Sequence, residues 1–338
     1  MLAPANDAVC GYHVVVNSLC GYKNDLIIYA SAVKESLLSR YRAVTIRLSI
    51  FALAIGAMVA CSPLTALNAL TPSGTYQRAT AAYGSGPRQQ LDVYTPRAAT
   101  GPAPVVVFFY GGTWNSGARE RYAFVGEALA SRGIVAVIAD YRLYPQVRYP
   151  AFLEDGAQAV AWTVREIDRF GGNPDRLFVM GHSSGAYNAA MIALDPRWLA
   201  TVGLSPRILD GWIGLAGPYD FLPIQNPDVK PVFHHPDTPP ESQPINHVES
   251  GLPPALLVAS RNDDLVNPVR NTGGLGEKLR AAGVPVKTVY YANTSHTSLI
   301  GAMSRPLRML APVLDEVERF VKSRSPANVN AVAIEEKR

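Results

Sequence analysis

The sequence predicts an α/β protein with a mostly parallel central sheet, helices on both faces and a small cap loop. Short apolar runs typical of buried strands alternate with runs of helix formers along most of the chain. One Pro-, Asn- and His-rich stretch, about 219–251, follows a strand and is too long for a simple connector, so it is interpreted as the cap. With 338 residues, 48% of them hydrophobic, the chain can bury one large core.

The first half of this pattern contains three strands and two helices. Residues 90–96 alternate apolar and polar side chains, as an antiparallel strand does. Residues 103–112 and 134–142 are continuous apolar runs, which are typical of strands buried on both faces. Runs of helix formers that stop at glycines predict helices over 119–131 and 152–170.

The second half continues the same alternation. A turn signal at Asn173-Pro174 precedes the apolar strand 177–180, and the alanine-rich run 184–194 predicts a helix directly after it. Further apolar runs predict strands over 211–217, 254–260 and 284–292, and further helix patterns cover 268–282 and 305–322.

Ser183 lies at the corner between strand 177–180 and helix 184–194, in the stretch RLFVMGHSSGAYNAA. Gly181 and Gly185 flank it, and glycine tolerates the strained dihedrals and close backbone approach of a very tight turn. G-x-S-x-G in a strand-turn-helix context is the nucleophile elbow, in which the sharp turn exposes the serine hydroxyl above the sheet. The alternative is an ordinary glycine turn that happens to contain a serine.

A serine nucleophile needs a base, and His296 is the best placed histidine. It follows the last predicted strand, in the loop before the final helix, at the edge of the sheet where the serine turn lies. His182 is expected to point away from the site. His234 and His235 belong to the cap, where solvated loop histidines are a better interpretation than metal ligands because no spaced partner cluster accompanies them.

The base needs an acid that fixes its tautomer, and two aspartates are candidates. Asp263 and Asp264 both follow the strand 254–260. Counting from the strand end favours Asp263, and its neighbour is then a surface or helix-capping aspartate. The order serine, aspartate, histidine along the chain is that of the α/β-hydrolases.

The N-terminal region has the features of an export signal. Three arginines precede the apolar run 48–60, which is shorter than the roughly 20 residues that span a bilayer. The ending Met58-Val59-Ala60-Cys61 resembles a bacterial lipobox, with Met where Leu is usual. A plain anchor helix continuing past Cys61 is the alternative, against which Pro63 argues. Val44 is a candidate alternative start.

These features divide the chain into predicted segments. They are an over-extended or disordered N-terminus at 1–43, a lipoprotein-type signal peptide at 44–61, a linker at 62–75, a catalytic domain at 76–323 and a flexible tail at 324–338. Cys61 is the predicted lipidation site. The protein is expected to be a membrane-anchored lipoprotein of the cell envelope that faces the periplasm or the exterior.

The other two cysteines, Cys10 and Cys20, precede that site, so neither a disulfide framework nor a zinc cluster is expected. The net charge of +4 is small and gives no reason to expect a nucleic-acid partner.

Several of these stretches together carry a family resemblance. From about residue 76 to 323 the chain resembles the carboxylesterase branch of the α/β-hydrolases, including feruloyl-esterase-like and hormone-sensitive-lipase-like bacterial esterases and plant prenylcysteine methylesterases. The matching pieces are YGGTW, DYRLYP, FGGNPDRLFVMGHSSGA, NDDLV and SHTSL. Tyr110-Gly111-Gly112-Thr113 stands where the family usually has H-G-G-G, which argues against a strict hormone-sensitive-lipase assignment.

The resemblance implies a serine carboxylesterase that works through an acyl-enzyme on a small-molecule ester, with no metal and no cofactor. It implies that the N–H groups of Gly112, Thr113 and Ser184 form the oxyanion hole. The membrane would be a partner only through the N-terminal lipid. Two alternatives stay open: an amidase or arylformamidase with the same site, and a non-catalytic envelope binding protein of the same fold.

Overall fold

The computed structural model describes residues 38, 40–41, 44–49, 63–98 and 100–323. Residues 44–49 are helical, and Leu64 begins a second compact unit that contains the sheet. All three cysteines, most of the predicted signal segment and the tail 324–338 lie outside the described residues. Within the described ranges, no helix combines the length and the apolar character needed to cross a bilayer.

The sheet has eight strands, of which the sequence analysis predicts all but the first, and its mostly parallel arrangement is the predicted one. The strands are β1 Tyr76–Ala82, β2 Gln90–Pro96, β3 Ala103–Phe109, β4 Val135–Ala139, β5 Gly172–His182, β6 Leu209–Leu215, β7 Ala255–Ser260 and β8 Val286–Tyr291. Their spatial order is β1-β2-β4-β3-β5-β6-β7-β8. β2 pairs antiparallel with β1 and β4, and the other neighbouring strands are parallel. Strands β3, β4 and β7 are buried along their whole length.

The helices connect these strands in the α/β pattern. They are α1 Pro63–Ala69, α2 Ala123–Ala130, α3 Ala151–Glu166, α4 Ser184–Leu194, α5 Pro196–Ala200, α6 Gly274–Ala281, α7 His296–Gly301 and α8 Val313–Ser323. Helix α4 has the predicted bounds and is buried throughout. The alternation that predicts the fold class is therefore confirmed.

Some element boundaries differ from the prediction for local reasons. The predicted helices 119–131 and 268–282 begin with a 3₁₀ turn and a π-helical turn, respectively, before α2 and α6. The predicted helix 305–322 is interrupted at Ala311, where an extended conformation precedes Pro312 and α8. The Asn173-Pro174 turn signal lies inside β5, beside a register shift in the β3–β5 pairing.

Three short helices, α1, α5 and α7, occupy places where the sequence analysis expects none. Helix α1 lies in the segment interpreted as a linker, and its Asn68 Oδ1 accepts a hydrogen bond from the N–H of Phe124 at 3.2 Å. Helix α7 begins at His296, where a loop is expected. All three are shorter than the periodic patterns from which helices can be recognised in a sequence.

The cap segment 219–251 folds over an aromatic cluster at the carboxyl edge of the sheet. It contains 3₁₀ turns at Lys230–Phe233, Pro240–Ser242 and Pro244–His247. Phe233 is fully buried and its ring contacts those of Trp114 and Tyr187, with centroids 4.8 Å and 5.5 Å away. This packing fixes the cap above the end of β5.

Candidate active site

Ser183 occupies the sharp corner between β5 and α4. Its backbone has φ 55° and ψ −125°, a conformation that non-glycine residues rarely adopt, and its N–H donates to the Leu215 carbonyl at 2.9 Å. A Cβ on Gly181 would lie 2.0 Å from the Gly185 carbonyl oxygen, and one on Gly185 would lie 2.0 Å from that of Phe109. Both flanking positions therefore require glycine for the turn to close.

His296 lies directly against this serine. Its Nε2 is 2.9 Å from Ser183 Oγ, and the residue is 6% exposed. It is the first residue of α7, which begins with a capping box between Ser295 and Ser298. The box fixes the start of the helix, and with it the position of the imidazole.

Asp263 is the acidic side chain that the structure brings to His296. Its Oδ2 is 2.8 Å from His296 Nδ1, and its Oδ1 accepts the N–H groups of Leu265 at 3.0 Å and Val266 at 2.8 Å. Burial acts to raise the pKa of Asp263, but the hydrogen bond and charge of His296 and the two N–H donors outweigh it and lower the pKa. Asp263 is therefore an ionised acceptor, whereas Asp264 is exposed.

The loop after β3 presents the predicted oxyanion donors beside the serine. Gly112 has φ 139° and Thr113 has φ 56°, and in the described part of the chain the N–H groups of both donate to no backbone carbonyl. The Gly112 carbonyl accepts the N–H groups of Asn115 and Ser116 at 3.1 and 3.0 Å. Ser184 begins α4, so its N–H has no partner within the helix.

A hydrogen-bonded network that sequence analysis misses supports this loop from below. Tyr110 donates its hydroxyl to Asp140 Oδ1 at 2.7 Å, and Tyr141 donates to the Tyr110 carbonyl at 2.7 Å. The Arg88 guanidinium donates to Tyr110 Oη at 2.7 Å and to the Gly117 carbonyl at 2.8 Å. This network holds the loop in its place.

His182 differs from its expected orientation. Instead of pointing away, its ring lies beside that of His296, with centroids 5.0 Å apart, and its Nε2 is 3.0 Å from the His296 carbonyl. A carbonyl only accepts, so Nε2 carries the proton, and Nδ1 is buried without a partner in the described structure. Burial lowers the pKa of His182 to about 3, so this histidine is neutral and holds the backbone of the base.

We expect this buried histidine to make stability depend on pH. Between pH 6.5 and about 3 the unfolded chain binds a proton that the folded chain does not, so the free energy of unfolding falls as the pH falls. The contribution is about 1.4 kcal/mol per pH unit. In H182Q, whose amide can still donate to the same carbonyl, urea unfolding between pH 4.5 and 7 should show a correspondingly smaller slope. Parallel stability curves for the two proteins would contradict this prediction.

The cap histidines form no metal site in the part of the chain that the structure describes. His234 Nε2 lies 2.8 Å from the Tyr149 carbonyl and His247 Nε2 lies 2.6 Å from the Glu241 carbonyl. The His234 contact joins the cap to the segment before helix α3, whereas the His247 contact lies within the cap.

Two cavities meet at Ser183 and His296. The first, here called the cap pocket, has a volume of about 360 Å³ and is lined mainly by Trp114, Phe221, Ile224, Val229, Leu265 and Arg270. The second, the Arg121 pocket, has a volume of about 240 Å³ and is lined mainly by Leu64, Ser116, Arg121, Tyr122, Thr297 and Ile300. The site can therefore hold both halves of a substrate on either side of one reacting bond.

Known proteins share both the sequence pattern and the fold. The probable isoprenylcysteine alpha-carbonyl methylesterase ICMEL1 of Arabidopsis thaliana is 28% identical over 69% of this chain and 53% of its own. Esterase LipC of Mycobacterium tuberculosis is 32% identical over 59% of this chain and 54% of its own, and kynurenine formamidase of Salmo salar is 29% identical over 54% and 59%. The chain thus spans little more than half the length of these relatives.

The solved structures of other proteins agree on the architecture. Esterase B of Lactobacillus rhamnosis superposes with a TM-score of 0.66 at 18% identity, over 83% of this chain and 98% of its own. At this identity the likeness concerns the fold alone. Together with the elbow and the sheet order, it shows that the chain has the α/β-hydrolase fold. Residues 91–203 match the BD-FAE family model, and the relatives named above include esterases.

Proposed function

We propose that the chain is a serine carboxylesterase with Ser183 as nucleophile, His296 as base and Asp263 as the acid that orients the base. The observation that supports this most directly is the unbroken hydrogen-bond chain from Ser183 Oγ through the imidazole to the Asp263 carboxylate, with steps of 2.9 and 2.8 Å. Because Asp263 faces Nδ1, Nδ1 carries the proton and Nε2 is free to accept one from the serine.

In the proposed mechanism, His296 removes the hydroxyl proton as Ser183 attacks the ester carbonyl carbon. The carbonyl oxygen becomes an oxyanion and accepts the N–H groups of Gly112, Thr113 and Ser184, each worth about 3–4 kcal/mol in the transition state. His296 then protonates the leaving alcohol, and water attacks the acyl-enzyme with the same histidine as base. These steps use only groups of the chain and need no metal or cofactor.

The proposal is tested by steady-state and burst kinetics on a panel of acyl esters and formamides. An esterase releases a burst of alcohol equal to the enzyme concentration when deacylation limits turnover of an activated ester. Hydrolysis of esters with formation of an acyl-Ser183 adduct, detected by mass spectrometry, is the expected result. A non-catalytic envelope binding protein would give neither turnover nor adduct.

An arylformamidase is the second candidate, because one similar protein is named kynurenine formamidase. The same serine chemistry cleaves a formamide if the leaving amine is protonated by His296. A kcat/KM for N-formylkynurenine above that for every ester in the panel would favour this candidate over the carboxylesterase.

We further propose that Cys61 is lipidated and that the protein is an envelope lipoprotein. The support is the sequence pattern alone, since Cys61 lies outside the described residues. Expressed in a bacterium with a lipoprotein pathway, the protein should carry diacylglycerol on an N-terminal Cys61, as shown by mass spectrometry of the mature N-terminus. An unmodified Cys61, or a mature chain that begins elsewhere, would contradict this proposal.

A further inference from the structure

We infer that the Arg121 pocket binds a carboxylate carried by the ester substrate. The inference rests on the proposed esterase function and concerns the same site. It assigns the substrate class as an ester with an anionic group on the side of the scissile bond that enters this pocket.

Arg121 is an exposed cation that has no counter-charge among the residues the structure describes. In the described residues, its guanidinium makes no hydrogen bond and no ion pair. The preceding arginine, Arg119, shows the contrast, because it contacts Asp92 at 3.3 Å, Gln90 at 3.1 Å and Asp140. Glu120, the acidic neighbour in sequence, is 3.0 Å from Arg119 and is thus already paired.

Arg121 differs from the other arginine of the two pockets in that its charge is not neutralised by a neighbouring carboxylate of the described residues. Among the described residues, no aspartate or glutamate lines the Arg121 pocket. The cap pocket also contains an arginine, Arg270, but its guanidinium is paired with Asp220 at 2.8 and 2.9 Å. Asp263 contacts His296, which lines both pockets, and its carboxylate is buried and bonded to that histidine. A substrate anion in the Arg121 pocket would therefore meet one uncompensated positive charge and no opposing carboxylate along its lining.

The chemistry of the pocket fits a carboxylate joined to the ester by a short carbon chain. A guanidinium can donate two parallel hydrogen bonds to a carboxylate, and charge-assisted bonds of this kind are stronger than neutral ones. Leu64, Tyr122 and Ile300 provide apolar parts of the lining of the same pocket. Leu64 comes from helix α1, so the segment before the sheet contributes to substrate binding.

Two matched pairs of esters test this inference. They also show whether the carboxylate that binds belongs to the acyl half or to the alcohol half of the ester. Monomethyl adipate and methyl hexanoate differ by a carboxylate on the acyl half, and 3-acetoxybenzoate and phenyl acetate differ by one on the alcohol half. In at least one pair, the ratio of kcat/KM for the anionic ester to that for the neutral ester should fall about tenfold in R121Q. R121K should retain more of this ratio than R121Q, since it keeps the charge but loses the bidentate geometry.

R165Q is the matched control, because Arg165 is also exposed and makes no side-chain hydrogen bond or ion pair among the described residues, but lines neither pocket. It should leave the ratios unchanged. If the neutral esters are hydrolysed and both ratios are the same in R121Q as in the wild type, the inference is overturned while the esterase proposal stands. If none of the four esters is hydrolysed, the esterase proposal fails, and the inference fails with it.

Discussion

Replacing Ser183 with alanine should lower the kcat of ester hydrolysis by about 10⁵–10⁶. The hydroxyl supplies the attacking oxygen, and without it His296 and Asp263 have no nucleophile to activate, since members of such a unit act together. The side chain is small and the backbone strain lies in φ and ψ, which alanine shares, so S183A should fold. The measurement is kcat of the wild type and of S183A, purified in parallel, with the ester of the panel that the wild type hydrolyses fastest.

The control for this variant is S323A, at the exposed end of helix α8 and distant in sequence from every residue of the site. S323A should retain wild-type turnover after the same purification. That result would show that purification itself does not inactivate the enzyme. Turnover near the wild-type level in S183A, with contaminating esterases excluded by active-site titration, would mean that the nucleophile is another residue.

The fold was predictable because its elements repeat a strong pattern. Strands β3, β4 and β7 are apolar along their length, and burial on both faces is what such runs require. The elbow was predictable for a different reason, since only glycine fits at Gly181 and Gly185 beside a serine with positive φ. In both cases the physical constraint is local, and it restricts which residue types can occupy the positions concerned.

The features that sequence analysis misses depend on contacts between distant parts of the chain. Arg88 reaches Tyr110 and Gly117 across 22 and 29 positions of sequence, and His182 reaches the His296 carbonyl across 114. Helix α1 is too short for a periodic pattern, yet it supplies Leu64 to the Arg121 pocket. None of these contacts has a spacing or composition by which it could be recognised before folding.

The choice between Asp263 and Asp264 was only partly predictable. The sequence places both after β7, but a shift of one residue in the loop would exchange their roles. The structure turns Asp263 inward through the N–H groups of Leu265 and Val266, which both donate to its Oδ1. Loop register of this kind depends on the backbone, and the two aspartates are chemically identical. The assignment therefore has to be tested on the two side chains separately.

D263N should lower kcat by about 10⁴, whereas D264N should keep most of the activity. In D263N the amide oxygen stays with the Leu265 and Val266 N–H donors, because an amide NH₂ cannot accept them, so the NH₂ group faces His296 Nδ1. Nδ1 must then accept, the ring proton moves to Nε2, and Nε2 can no longer take the proton of Ser183. Asp264 is exposed, and its substitution should change the free energy of unfolding by less than about 0.5 kcal/mol.

The measurement is kcat for both variants with one ester, together with urea unfolding of each to separate lost chemistry from lost structure. A large loss confined to D264N would place the acid one residue further along the loop than the structure does. Small losses in both variants would show that neither carboxylate orients the base, so that the proposal would depend on Ser183 and His296 alone. A large loss in D263N with an unchanged unfolding midpoint is the result that the hydrogen bonds of this loop require, because the tautomer changes while the packing around it does not.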